Sequence, residues 1–197
     1  MTDEAAWLAG LRPSRIRELQ AGATHWTSVD LVDVESGSGV VLRDALEVFG
    51  VRVDRTPVGQ ARQLVTALSR GPRAPYVLLA CHGEDGDVVL PELDPQLERY
   101  QPFSRRLTPD GLRSFARFEG AVVIATGCDT GHPDLVRAVL DCGASAYVAP
   151  AGAPFGYASF FAPVLLFYEL TEQRSLEEAV RRLAAHDREL GAWGLHT

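Results

Sequence analysis

Tyr76-Val77-Leu78-Leu79-Ala80-Cys81-His82-Gly83 is an apolar run that stops abruptly at an imidazole and a glycine. A strand that is apolar on both of its alternating faces must be covered on both, as in a parallel sheet packed between helices. A second run of the same kind, Ala121-Val122-Val123-Ile124-Ala125-Thr126, ends at Gly127-Cys128. Side by side and parallel, about 4.8 Å apart, the two strands would bring an imidazole and a thiol to one edge of the sheet. That pairing is the chemistry of a cysteine nucleophile with its acid-base partner.

Outward from these runs, apolar segments and helical patterns alternate from Val29 to Pro150, which predicts an α/β fold. Strands are expected at Val29 to Val34, Val51 to Val53 or on to Val58, Tyr76 to Cys81, Ala121 to Thr126 and Ser145 to Ala149. The intervening helices carry Leu42 to Phe49, then Ala61, Leu64, Val65 and Leu68 at helical spacing, then Leu112, Phe115 and Phe118. Thr108-Pro109 reads as an N-cap followed by proline at the first helical position. Pro133 opens another helix, with Leu135, Val136, Val139 and Leu140 inward, and Gly143 closes it. An apolar helix from Phe155 to Leu170 is expected to kink at Pro163. A capping box, Ser175 with Glu178, starts the last helix. A short helix over Pro13 to Gln20 precedes the sheet. Glu84 to Leu107 reads as a long polar loop with one hairpin strand at Val88 to Leu90, and loops of that length tend to be lids or binding loops. With no repeat and no linker, residues 1–197 read as one domain.

Composition narrows the partners. The 197 residues carry a formal net charge of -7, and all 19 basic residues are Arg. No basic tract offers a footprint for a phosphate backbone, so nucleic acid is not expected as a partner. The absence of Lys and Asn fits the codon bias of a GC-rich bacterial genome. Met1-Thr2-Asp3-Glu4 is acidic where a secretory signal would be basic, and no apolar run approaches 18 residues, so a cytoplasmic protein without membrane contact is expected. Three cysteines without a CxxC pair predict free thiols rather than a disulfide framework.

The chemistry is expected at the carboxyl ends of the parallel strands, where open sheets bind their ligands. His82 and Cys128 both fall there. Gly83 and Gly127 let a substrate backbone approach closely, and the N–H groups of Gly83 and Cys128 could face a developing oxyanion. Asp85, Asp87 and Asp129 flank the pair. They could orient His82 or, as Asp85 and Asp129 in particular, bind a basic substrate side chain, although solvated loop carboxylates are the plainer reading. Cys81 and Cys142 read as core thiols. His132 follows Cys128 by four positions but lacks further converging ligands for zinc. Neither metal nor cofactor is expected. His25, His186 and His196 read as surface residues, and Arg99, Arg105 and Arg106 as part of a solvated loop.

Leu78-Leu79-Ala80-Cys81-His82-Gly83 and Val122-Val123-Ile124-Ala125-Thr126-Gly127-Cys128-Asp129-Thr130-Gly131 resemble the His-Gly and Cys motifs of the caspase-like fold, and within it the bacterial CHAT domains. Gly143-Ala144-Ser145-Ala146-Tyr147-Val148 followed by an apolar helix and Leu176-Glu177-Glu178-Ala179-Val180 is similar to the family's closing pattern. His82 precedes Cys128 by 46 positions, against about 50 in caspases. The resemblance implies a caspase-like three-layer sandwich with a mostly parallel open sheet. It implies a cysteine peptidase acting on protein or peptide substrates, with His82 as acid-base residue and Cys128 as nucleophile, in a bacterial stress or defence pathway and open to a regulatory protein partner. The chain departs from the family at two points. Gln-Ala-Cys-x-Gly is absent, and Thr126 stands where metacaspase-like relatives carry an acid that reads a basic side chain. Two other classes compete. One is a non-catalytic caspase-like binding module, and the other a small-molecule hydrolase pairing a Cys nucleophile with His186.

Overall fold

The computed structural model describes residues 15, 21–22, 24–34, 36–155 and 157–197. Apart from Arg15, the helix expected over Pro13 to Gln20 lies outside the described residues. The amino-terminal half runs β1 (Thr27–Asp33), α1 (Gly39–Val48), β2 (Val51–Pro57), α2 (Ala61–Ser69) and β3 (Tyr76–Ala80). A small insertion follows, with β4 (His82–Glu84), β5 (Asp87–Val89), α3 (Pro95–Glu98) and β6 (Arg106–Leu107). The remainder is α4 (Pro109–Phe115), β7 (Val122–Ala125), α5 (Pro133–Asp141), β8 (Ala146–Pro150), α6 (Ala158–Thr171), α7 (Leu176–His186) and β9 (Trp193–His196).

Six strands form one sheet in the order β2-β1-β3-β7-β8-β9. The first five are parallel, and β9 lies antiparallel to β8 at the far edge. The layers follow from strand alternation. In β3, Val77 and Leu79 join a core with Leu64 and Leu68 of α2, Leu112 of α4, and Leu135 and Val139 of α5. Leu78 and Ala80 turn the other way, onto Leu42 and Leu46 of α1, Leu166 and Phe167 of α6, and Leu183 of α7. The protein is therefore an α/β fold whose mostly parallel sheet is covered by helices on both faces. Phe167 is fully buried, and truncating such a ring to alanine costs about 3–5 kcal/mol.

Helix ends follow the local chemistry. Thr108 accepts a hydrogen bond from the Gly111 N–H at 3.1 Å, with Pro109 at the first helical position of α4. Ser175 accepts from the Glu178 N–H at 3.2 Å, but the return bond that a capping box implies is not formed among the described residues. The Glu178 carboxylate instead takes Arg182 at 3.1 Å, one turn along α7. Helix α6 begins at Ala158, later than the apolar pattern suggests, and runs as one helix through Pro163.

Two expectations need correction. Glu84 to Leu107 is not an open loop: β4, β5 and β6 form an antiparallel sheet of their own. His82 consequently belongs to β4 rather than to the end of β3. Strand β9, which the sequence reading leaves out, pairs Leu195 with Val148 and Trp193 with Pro150. Among the described residues no helix is long and apolar enough to cross a membrane.

Candidate active site

Strands β3 and β7 are parallel neighbours, with Leu79 opposite Ala125. The two chains leave the sheet together, and their backbones touch because both lack a side chain at the crossing. A methyl group on Gly127 would come within 2.9 Å of the Gly83 nitrogen and the His82 carbonyl carbon, and one on Gly83 would overlap the carbonyl oxygen of Cys128. His82-Gly83 and Gly127-Cys128 thus form one edge of the molecule.

The hairpin sets the direction of the Gly83 N–H. Asp85 and Gly86 both have positive φ, 53° and 81°, which makes a two-residue type I′ turn between Glu84 and Asp87. The pair closing such a turn exchanges hydrogen bonds, and the next pair, Gly83 with Val88, does not. The Gly83 N–H therefore points away from β5. Gly86 at the tip packs against the ring of His132, within 3.0 Å of its Nδ1 if a Cβ were present. The hairpin is anchored across the segment that carries Cys128.

The N–H groups after β7 are mostly paired. Thr126 donates to Leu79 at 3.1 Å, Asp129 to Gly152 at 2.6 Å, Thr130 to Gly127 at 3.3 Å, Gly131 to Pro150 at 2.8 Å and His132 to Asp129 at 3.1 Å. The Gly127 N–H faces the Cys81 sulfur. Among the described residues, the Cys128 N–H has no acceptor. The turn needs a left-handed third residue, and Asp129 supplies it with φ 54°. Thr130, fully buried, donates its hydroxyl to the Gly127 carbonyl at 2.7 Å. The buried Tyr147 phenol donates to the Thr130 carbonyl at 3.0 Å, and its burial keeps that phenol protonated. Thr130 and Tyr147 were not singled out in the sequence as site residues. The Gly-Cys-Asp-Thr tetrapeptide, with Asp as a turn former, was the signal.

The side chains are less tightly assembled than the backbone. His82 is exposed and shares a face of the hairpin with Val89. Its imidazole lines an open cleft of about 330 Å³ with Val34, Val89, Leu90, Pro91 and Arg105. Among the described residues no hydrogen bond joins the imidazole to the half-buried Cys128 thiol. None of the three flanking carboxylates meets His82 among the described residues. Asp85 and Asp87 lie 3.6 and 3.5 Å from the Arg106 guanidinium, which also contacts Glu84. Asp129 accepts a long bond from the Gly152 N–H at 3.4 Å. A larger groove of about 460 Å³ between β2 and α2 is lined by Arg62, Arg70, Arg73 and Arg117 but by no cysteine or histidine among the described residues.

Cys81 is a buried core thiol whose pKa is pushed up to about 12, mainly by burial, with a smaller contribution from Cys128. Cys142 is half-buried at the end of α5 and is raised for the same reason. His132 caps α5 and accepts from the Asp134 N–H at 3.4 Å, and no group of three or more potential metal ligands converges among the described residues. His25 and His186 are exposed. His196, expected on the surface, is half-buried on β9 with its ring 6.3 Å from Tyr147, and burial lowers its pKa. Alkylation of the native protein at mildly alkaline pH is expected to mark Cys128 and spare Cys81, because the buried thiol carries almost no thiolate there. Peptide mapping by mass spectrometry checks this, and fast Cys81 modification in the folded state would contradict it.

No family model and no curated protein matches the chain. Among solved structures, a fusion carrying a yeast Spc42 trimeric coiled coil (amino acids 181–211) is similar to it. That structure is 14% identical over 81% of this chain and 93% of that chain, with a TM-score of 0.35. A likeness at that level carries no argument about fold or function.

Proposed function

We propose that the protein is a caspase-like cysteine endopeptidase of the CHAT type, with Cys128 as nucleophile and His82 as its acid-base partner. The observation that carries this reading is the pair of backbone donors beside the thiol. The Gly83 N–H points away from its own hairpin, the Cys128 N–H has no acceptor among the described residues, and the two segments are in contact. Two such donors suit a charge that exists only during reaction. In the reaction the thiol proton passes to His82 and the sulfur attacks the peptide carbonyl carbon. The carbonyl electron pair moves onto oxygen, facing the two N–H groups. Collapse then breaks the C–N bond as His82 protonates the leaving amine. Water, deprotonated by His82, cleaves the thioester and restores the thiol. Exposed His82 has no side-chain partner of its own among the described residues, so substrate is free to draw the imidazole onto the sulfur. Catalytic hydrogen bonds often tighten only in the complex.

A peptide aldehyde library of varied terminal side chain tests the reading. Reversible hemithioacetal formation at Cys128, read by 13C NMR of a carbonyl-labelled aldehyde and lost in Cys128→Ala, is expected. Replacing His82 by alanine is expected to slow peptide hydrolysis by about 10²–10⁴. A Cys128 that stays unmodified across the library overturns the proposal. The open imidazole–thiol geometry favours a second reading, a caspase-like module that binds a partner without cleaving it. That version expects a bound peptide to survive intact and to bind Cys128→Ser equally well.

A further inference from the structure

We propose that Thr130 is a positioning residue, whose buried hydroxyl holds the Gly127–Cys128 peptide so that the Cys128 N–H faces the reacting carbonyl oxygen. The inference rests on Cys128 being the nucleophile and adds the device that aims its donor. The Gly127 carbonyl accepts two hydrogen bonds from one residue, the Thr130 hydroxyl at 2.7 Å and the Thr130 N–H at 3.3 Å. Peptide bonds here are trans, so the N–H of each planar unit points opposite to its carbonyl. With the carbonyl held towards a fully buried residue, the Cys128 N–H is turned the other way, out of the loop.

The N–H bond alone would leave this peptide free to rock. At 3.3 Å it is longer than the usual N–H···O range of about 2.7–3.2 Å. The hydroxyl adds a second tether at the same oxygen, and Thr130 is itself held. Its carbonyl takes the Tyr147 phenol at 3.0 Å, and its neighbours Asp129 and Gly131 donate to Gly152 and Pro150. The chain of bonds runs from strand β8 through Thr130 to the Cys128 amide. Thr130 touches no substrate in this arrangement and acts only through that amide.

The test separates carbonyl-oxygen stabilisation from thiol reactivity. In Thr130→Val, which keeps the side-chain shape, affinity for a peptide aldehyde is expected to fall about 10- to 100-fold, because the hemithioacetal oxygen needs the donor. Alkylation of Cys128 by iodoacetamide, which develops no oxyanion, is expected to stay within about twofold. In peptide hydrolysis kcat is expected to fall with KM nearly unchanged, and Thr130→Ser, which restores the hydroxyl, is expected to recover both readouts. Equal losses in alkylation and aldehyde affinity would mean a general distortion and overturn the positioning role, as would an unchanged aldehyde affinity in Thr130→Val. If the wild-type protein forms no hemithioacetal at Cys128, the nucleophile reading fails first and takes this one with it.

Discussion

Gly83→Ala is expected to lower kcat/KM for a peptide substrate by about 10³, since loss of a single oxyanion donor already costs about 10²–10³. The argument is steric. The new methyl would overlap the Cys128 carbonyl oxygen and crowd the Thr130 methyl, which lies within 2.9 Å of the same point. Neither can yield easily. The carbonyl is backbone, and Thr130 is fully buried and tied to Gly127 and Tyr147. The hairpin must lift, separating the Gly83 N–H from the Cys128 N–H. The lift also moves Val88, which pairs with Gly83 and belongs to a core cluster, so turnover is compared at a temperature where the variant stays folded. Glu84→Ala, one residue along the same strand, removes a contact to Arg106 in an exposed network, and such pairs contribute roughly 0–1 kcal/mol. It serves as the control. Thermal melts and turnover of the two variants give the comparison. Near-normal hydrolysis by Gly83→Ala would remove the two-donor site from consideration.

Much of the scaffold was legible because its strands are buried on both faces. Tyr76 to Cys81 and Ala121 to Thr126 could be read as strands from apolar continuity, and the structure trims each by only one or two residues. Gly50, Gly71 and Gly143 end helices or turns with positive φ, as their place after apolar runs suggests. The insertion was harder. His82-Gly83-Glu84 has no apolar period at all, and its pairing partner is only three residues long. The Asp85-Gly86 dipeptide was the local hairpin signal, and it was outweighed by the polarity around it. Strand β9 escaped for a different reason. Trp193 and Leu195 alternate with Gly194 and His196, and four residues are too few to establish a period of two.

The site was legible to the extent that it is backbone. Sheet order makes β3 and β7 neighbours, so residues at their carboxyl ends meet whatever the loops do. Glycine at positions 83 and 127 signals close approach, and both glycines are in contact with the opposing chain. Side-chain roles are a separate matter. Asp85 lies close after His82 and Asp129 next to Cys128 in sequence, but a hairpin turn carries one to Arg106 and a left-handed backbone carries the other to Gly152. Sequence proximity to a nucleophile says little about where a turn residue's carboxylate points.

Asp33→Ala is expected to destabilise the protein by about 3 kcal/mol, the lower end of the cost of breaking a buried pair. Asp33 ends β1 only 5% exposed. One carboxylate oxygen accepts Nε and NH2 of Arg55 at 2.9 and 2.6 Å, and the other accepts the Ser36 hydroxyl at 2.9 Å. The same group lies over Gly39, where a methyl would overlap it, at the N-terminus of α1 that favours negative charge. Arg55 is about a quarter exposed, so water screens part of the Coulomb attraction. Most of the loss comes from the emptied space and from Ser36 losing its acceptor. Gly39→Ala should cause a loss of similar size by expelling the carboxylate, although alanine favours helix over glycine. Combined with Arg55→Leu, Asp33→Ala should be less destabilised than the sum of the single variants, because no unpaired guanidinium remains. Urea melts of the four proteins decide it, and strict additivity would show that the pair is not coupled. The consequence reaches the candidate site. Val34 follows Asp33, donates its N–H to Ala80 at 2.7 Å and forms one wall of the cleft that holds His82. A loosened end of β1 would therefore widen that cleft before it unfolded the sheet.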